Sequence, residues 1–297
     1  MQARRREEIV AGLTASGLVF RTFSIAHDSP HAVADWDWNQ RDLPHIPFVH
    51  GGFRLVPLVV GDELAAGMFV QRIFGVALPL GVTYHHPGPG VRVYTTTLGP
   101  LALVVEATLT ASGAGTQVST TYSVGARPLL RWMLPAAEWF LRRNYQQIFA
   151  EDEPLRARRR QLRGWGYRFD DDAGYQRSLR LDEDHVRVPA ADVAEVVAPV
   201  GDTPVLIGRD DHLGLRIVPA GDALLVFPRM CPHQGASLDD CADDGETITC
   251  PWHGRRIACV ARFGRHHDGE QVRELGRRRL SLRGGVLRVA PPRAQGD

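Results

Sequence analysis

The chain of 297 residues is 44% hydrophobic and 23% charged, an ordinary globular composition long enough for two domains with separate cores. Its 35 basic and 34 acidic residues leave a formal charge of +1, so no global field selects nucleic acid or anionic lipid and any partner is recognised locally. Arg4, Arg5 and Arg6 meet Glu7 and Glu8 at once rather than an apolar export signal, and the most apolar region, Phe53 to Val82, is interrupted by Arg54, Asp62, Glu63, Gln71 and Arg72, so a soluble, cytoplasmic protein without a membrane span is expected.

A short basic helix opens the chain, and Leu18 to Ile25 has the β-branched and aromatic content of a strand. Ala34 to His50 reads as a helical stretch broken by Pro44 and Pro47. From Phe53 to Val124 strands are predicted over roughly 53 to 60, 66 to 75, 91 to 97, 101 to 110 and 117 to 124, separated by turns such as Pro87-Gly88-Pro89-Gly90. Pro128 to Arg163 shows helical spacing of apolar residues, including Leu130, Leu134, Ala137, Trp139 and Phe140, with Pro135 and Pro154 as expected kinks. Strand, helical insert, antiparallel sheet and long closing helix form the order of a helix-grip domain, and this α+β order resembles the START and Bet v 1-like superfamily. The expected organisation is a helix-grip domain over 1–165, a polar linker over 166–189 and an all-β domain over 190–297.

Within the last domain stand Cys231-Pro232-His233-Gln234-Gly235-Ala236 and Cys250-Pro251-Trp252-His253-Gly254. Each loop offers one thiolate and one imidazole, the set that a [2Fe-2S] centre with two Cys on one iron and two His on the other requires. A Cys2His2 zinc site uses the same ligand types, but the Cys-x-His spacing and the glycine closing each loop favour the bridged cluster. The pattern resembles the Rieske domains of oxygenases and their ferredoxins, which implies cluster ligation by Cys231, His233, Cys250 and His253. Respiratory Rieske proteins carry an extra cysteine in each loop where this chain has Ala236 and Trp252, so the resemblance is to the oxygenase type. Cys241 and Cys259 read as small buried residues, and four cysteines in all fit a reducing compartment.

The helical insert contains Asp42-Leu43-Pro44-His45-Ile46-Pro47-Phe48-Val49-His50. Two His five apart diverge by about 140 degrees on an unbroken helix, and Pro47 is expected to supply the break that lets both face one metal. Two His and one carboxylate on one face of Fe(II) leave open positions for O2 and substrate. The closing helix carries Glu151, Asp152 and Glu153; Asp152 is the first choice of third ligand and Glu151 the alternative. At this point the sequence resembles the catalytic domains of Rieske non-haem iron oxygenases, whose Asp-x2-His-x4-His motif is filled by Asp42, His45 and His50, although the family usually places its Rieske domain first. The resemblance implies that Asp42 bridges electrons to a mononuclear Fe(II), and the His-x-Pro-Phe-x-His form is similar to members acting on large apolar substrates such as chlorophyll catabolites. It also implies a homo-oligomer, in which one subunit's cluster serves the next subunit's iron.

Gly113-x-Gly115 is no dinucleotide fingerprint, so electrons are expected from a separate reductase or ferredoxin. Arg156, Arg158, Arg159, Arg160 and Arg163 read as a solvated helix face, His85-His86 and His266-His267 as surface pairs in turns, and Trp132, Trp139 and Phe140 as helix core. The expected function is oxidation of an apolar substrate by hydroxylation, demethylation or desaturation. The alternatives are a START-like module binding an apolar ligand, fused to an electron-transfer Rieske domain without mononuclear iron, and a redox sensor.

Overall fold

The computed structural model describes residues 4–51, 53–61, 64–73, 76–169, 179–180, 195–275 and 278–291. Helix α1 (Arg6–Ala15) leads into strand β1 (Val19–Ser29), and Arg5 beside it ties the N-terminus to the sheet by donating to Glu106 at 2.6 Å. The insert follows as α2 (Val33–Arg41), a 3-10 turn (Leu43–His45) and α3 (Ile46–Val49). Then come β2 (Phe53–Val60), β3 (Leu64–Ile73), β4 (Val76–Gly88), β5 (Val91–Leu98), β6 (Leu101–Ser112) and β7 (Gly115–Ala126), a second 3-10 turn (Pro128–Met133) and α4 (Leu134–Gly164). The seven strands form one antiparallel sheet in the order β1-β7-β6-β5-β4-β3-β2. This is a helix-grip domain.

Strand alternation makes its core. Leu101, Leu103, Val105, Ala107 and Leu109 share one face of β6 and are all buried. With Phe23 on β1 and Val124 on β7, the first three pack against Leu134, Ala137 and Leu141 of α4. Register is fixed across β1 and β7, where Phe23 pairs with Tyr122 and their rings stack at 5.0 Å.

Strand β4 is absent from the sequence reading, because Pro79, Gly81, Pro87 and Gly88 look like breakers. The sheet accommodates them by position. Residues 76–81 pair only with β3, since pairing with β5 starts at Val82, so Pro79 needs no donor on its open side. Pro87 falls in the irregularity between His85 and Gly88. His85 and His86 therefore lie on a strand rather than in a turn, and His85 Nε2 bonds to the Arg4 carbonyl at 2.7 Å.

Two further readings are corrected. Arg156, Arg158 and Arg159 are buried rather than solvated, because this face of α4 meets the aromatic and acidic residues of α2. Arg156 lies 4.0 Å over the Trp36 ring, and Arg159 lies 4.3 Å over Trp38 while donating to Asp35 at 3.2 Å. Trp132 and Trp139, expected as core, are 72% and 64% exposed, and only Phe140 of that trio packs inward. Pro135 stands at the second position of α4, where a missing N–H leaves no bond unmade, and Pro154 lies inside the helix.

The chain divides into two compact units, with the division inside α4 between Gln161 and Leu162. The second unit begins with the end of α4 and the pair β8 (Arg168–Phe169) and β9 (Leu179–Arg180). Most of the predicted linker lies outside the described residues. Next come β10 (Val196–Pro199), β11 (Val205–Ile207), β12 (Leu215–Ala220), β13 (Ala223–Pro228), β14 (Thr247–Thr249), β15 (Arg256–Ala258), β16 (Ala261–Gly264), β17 (Gln271–Leu275), β18 (Arg278–Arg283) and β19 (Val286–Val289). Two four-stranded sheets, β10-β19-β18-β17 and β11-β12-β13-β16, enclose a core that includes Ile217, Val226, Phe263, Leu280 and Leu287. No helix occurs among the described residues after 195, and no described helix is long and apolar enough to cross a membrane.

Candidate metal centres

The cluster loops follow β13 and β14 and are closed by the same pair of bonds. In the first, the Cys231 N–H donates to the Ala236 carbonyl at 2.8 Å and the Gly235 N–H to the Cys231 carbonyl at 3.0 Å. In the second, Cys250 donates to Arg255 at 2.8 Å and Gly254 to Cys250 at 2.9 Å. Gly235 and Gly254 have φ of 85° and 63°, a left-handed conformation that glycine adopts without steric cost. Loop architecture thus explains the glycine that closes each motif.

These matched loops bring like donors together. Cys231 and Cys250 are both buried, one in each loop. Each thiol perturbs the other: Cys231 lowers Cys250, while Cys250 and burial push Cys231 up. The rings of His233 and His253 lie 4.8 Å apart. Thiol beside thiol and imidazole beside imidazole is the grouping that a two-Cys, two-His [2Fe-2S] cluster requires. Arg216 braces the segment between the loops by donating to the Leu238 and Cys241 carbonyls at 2.7 and 2.6 Å. Arg229 braces it further through Asp239 at 2.9 and 2.5 Å. Cys241 and Cys259 are free thiols, half-buried rather than buried as expected.

In the helix-grip unit, His45, His50 and Asp152 place one ligand atom each within 4.8 Å of one another, and all three residues are buried. Asp152 Oδ1 lies 3.2 Å from His45 Nε2 and 3.2 Å from His50 Nε2. Yet His45 Nε2 and Asp152 Oδ1 are buried without a hydrogen bond of proper geometry. The outward ring nitrogens are committed: His45 Nδ1 donates to the Asp42 carbonyl, and His50 Nδ1 to Glu151 Oε2 at 2.8 Å. With the proton on Nδ1, each Nε2 presents a lone pair inward, as in a metal-ligating histidine. The donor set therefore fits a cation.

Pro47 does not break the backbone between the two histidines: it sits in the first turn of α3, His45 and Ile46 are helical, and the His50 N–H donates to the Ile46 carbonyl at 3.0 Å. The chain turns away only beyond the Cα of His50, with ψ of 104°. Glu151, the alternative third ligand, lies outside the trio and orients His50 while accepting from Gln147 at 2.8 Å. Burial opposes charge on both Asp152 and His50. The imidazoles nevertheless hold the Asp152 carboxyl well below the usual carboxylate range, and Asp152 and Glu151 raise His50. Asp42 is buried, with Oδ2 3.8 Å from His45 Nδ1.

Asn39 and Arg156, the latter read from the sequence as part of a solvated face, back it. Arg156 Nη1 donates to Asn39 Oδ1 at 2.8 Å and lies 3.7 Å from Asp152 Oδ2, and Nη2 donates to the Phe149 carbonyl at 3.0 Å. The trio lines one end of a cavity of about 310 Å³ that continues between sheet and α4 past Phe69, Leu80, Tyr94, Val105 and Leu141. That volume and apolar lining suit a small apolar ligand.

Residues 185–275 match the family model described as the Rieske [2Fe-2S] domain. The chain thus joins a helix-grip domain to a Rieske domain, an iron-sulfur electron-transfer module. Among curated proteins none matches it. The solved structure of Ara h 8.0201 is similar over 46% of this chain and 97% of its own, at 13% identity and a TM-score of 0.40. The Zhui aromatase/cyclase from Streptomyces sp. R1128 is similar over 48% of this chain and 96% of its own, at 14% identity and a TM-score of 0.41. TTHA0849 from Thermus thermophilus is similar over 44% of this chain and 93% of its own, at 11% identity and a TM-score of 0.38.

Proposed function

We propose that this protein is a Rieske-type oxygenase acting on an apolar substrate. The observation that carries the reading is the convergence of His45, His50 and Asp152 at the buried end of an apolar cavity, in a chain that also holds a Rieske domain. A ferrous ion held by those three residues would supply O2 activation, with electrons arriving through the cluster from a separate reductase or ferredoxin.

The protein's own residues prepare that chemistry. Asp42 and Glu151 fix the ring tautomers, which keeps both Nε2 atoms available. Asp42, whose carbonyl and carboxylate both approach the His45 ring, is our choice for the bridge by which electrons enter. The apolar wall excludes water and holds the substrate against the open face of the trio. Hydroxylation, demethylation and desaturation all suit such a site.

The test is iron and acid-labile sulfide per chain on anaerobically purified protein. About three irons per two sulfides are expected, falling to about two in His45→Ala with the cluster spectrum intact. About two irons per two sulfides in the unsubstituted protein, unchanged after incubation with Fe(II), would leave an electron-transfer domain joined to a ligand-binding module.

A further inference from the structure

Leu129, Trp132 and Trp139 are 85%, 72% and 64% exposed where the sheet hands over to α4. Leu129 and Trp132 are one turn apart in the 3-10 segment, and Trp139 follows in the second turn of α4. Indole is the side chain suited to a membrane-water interface, and the residues interleaved with it are cationic. Arg127, Arg131, Arg142 and Arg143 are exposed along the same segment, against one acid, Glu138, which is bound by Arg21 and by Arg142 at 2.9 Å. Among the described residues Arg127, Arg131 and Arg143 have no acidic partner. A chain of net charge +1 therefore concentrates unpaired positive charge around its exposed tryptophans.

The cavity relates to this face. Its lining follows α4 from Phe140 to Arg156, a distance of about 24 Å. Asp152, Arg156, His45 and His50 in its lining are buried, whereas Thr97 is exposed and Leu98 and Phe140, like Gln40 and Ile46, are partly so. Phe140 directly follows the exposed Trp139.

We propose that this face docks on an anionic bilayer surface, with the tryptophans and Leu129 in the headgroup region and the arginines on lipid phosphates, and that the apolar ligand enters the cavity from the membrane. Docking stands independently of the oxygenase reading; identifying that ligand as the substrate rests on it. Each interfacial arginine contributes roughly fivefold to partitioning onto an anionic surface, so three contribute on the order of a hundredfold.

The test is flotation of the full chain with vesicles of phosphatidylcholine alone or mixed with phosphatidylglycerol. Binding to the mixed vesicles, weakening as salt rises, is expected. Arg127→Gln/Arg131→Gln/Arg143→Gln should lower it by about a hundredfold and remove its salt dependence, and Trp132→Ser/Trp139→Ser should lower it at every salt concentration. These side chains are exposed, so circular dichroism melts should match those of the parent. No flotation at low salt, or equal flotation of parent and both variants, would overturn the proposal. So would a change of sedimentation coefficient in the tryptophan variant without a change in vesicle binding, which would make the face a contact with a second copy. Iron and sulfide measured on the same samples separate the two ideas: vesicle binding by protein with two irons per two sulfides leaves docking standing while the oxygenase reading falls.

Discussion

Glu151 and Asp152 are chain neighbours with different duties, because one residue of helix rotation turns them about 100° apart. Asp152 presents Oδ1 to both Nε2 atoms, while Glu151 holds the far nitrogen of His50. Asp152→Ala should abolish binding of the third iron. Glu151→Gln keeps an acceptor for Nδ1 but removes the charge, and should weaken metal affinity by about 10- to 100-fold. Anaerobic titration with Co(II), followed by its absorption, measures both; equal loss in the two variants would make Glu151 a ligand. Arg156 poses a different question. It is buried, satisfies Asn39 and the Phe149 carbonyl, and lies over two aromatic rings. Arg156→Met fills similar space but strands these acceptors, and should cost about 3 to 5 kcal/mol in the helix-grip unit. Denaturant unfolding monitored by far-ultraviolet circular dichroism reads it; a change under about 0.5 kcal/mol would show that water replaces the guanidinium.

Elements differ in how far their sequence announces them. The cluster site is legible because all four donors and both glycines fall between Cys231 and Gly254, in two loops with the same backbone bonds. The histidines of the insert are equally local, whereas their carboxylate comes from a helix a hundred residues later whose rotation no short motif fixes. Strand β4 is hidden because a proline forbidden inside a sheet is harmless on a side with no partner. The arginines of α4 and the tryptophans at and before its start mislead for a common reason: type suggests burial only on average, and here aromatic rings and acids on α2 make guanidiniums the inner face. The loop glycines carry their own prediction. Gly254→Ala forces a Cβ into a left-handed backbone at about 1 to 2 kcal/mol. The variant should reconstitute with less [2Fe-2S] cluster than the parent, measured by visible absorption per chain; full occupancy would mean that the loop relaxes without moving its ligands.

On the scale of the molecule, the two candidate centres draw on separate stretches of chain. One uses residues 45, 50 and 152 within the first compact unit, the other residues 231, 233, 250 and 253 within the second. No ligand is shared, so each should form without the other. Cys231→Ala removes a thiolate on which the cluster would depend, yet it leaves every donor of the trio in place, and should still take up one Co(II) per chain. The reverse dissection uses chemistry instead of substitution. A mononuclear ion with three protein donors would keep positions open to solvent molecules and exchange, whereas a bridged cluster would be held by inorganic sulfide and by two cysteines that are 1% exposed. A ferrous chelator added anaerobically should therefore lower iron from about three to about two per two sulfides, with visible absorption unchanged, and Fe(II) should restore it. Parallel loss of iron and absorption would show that the extra iron belongs to a degraded cluster, and would remove the ground for a second centre.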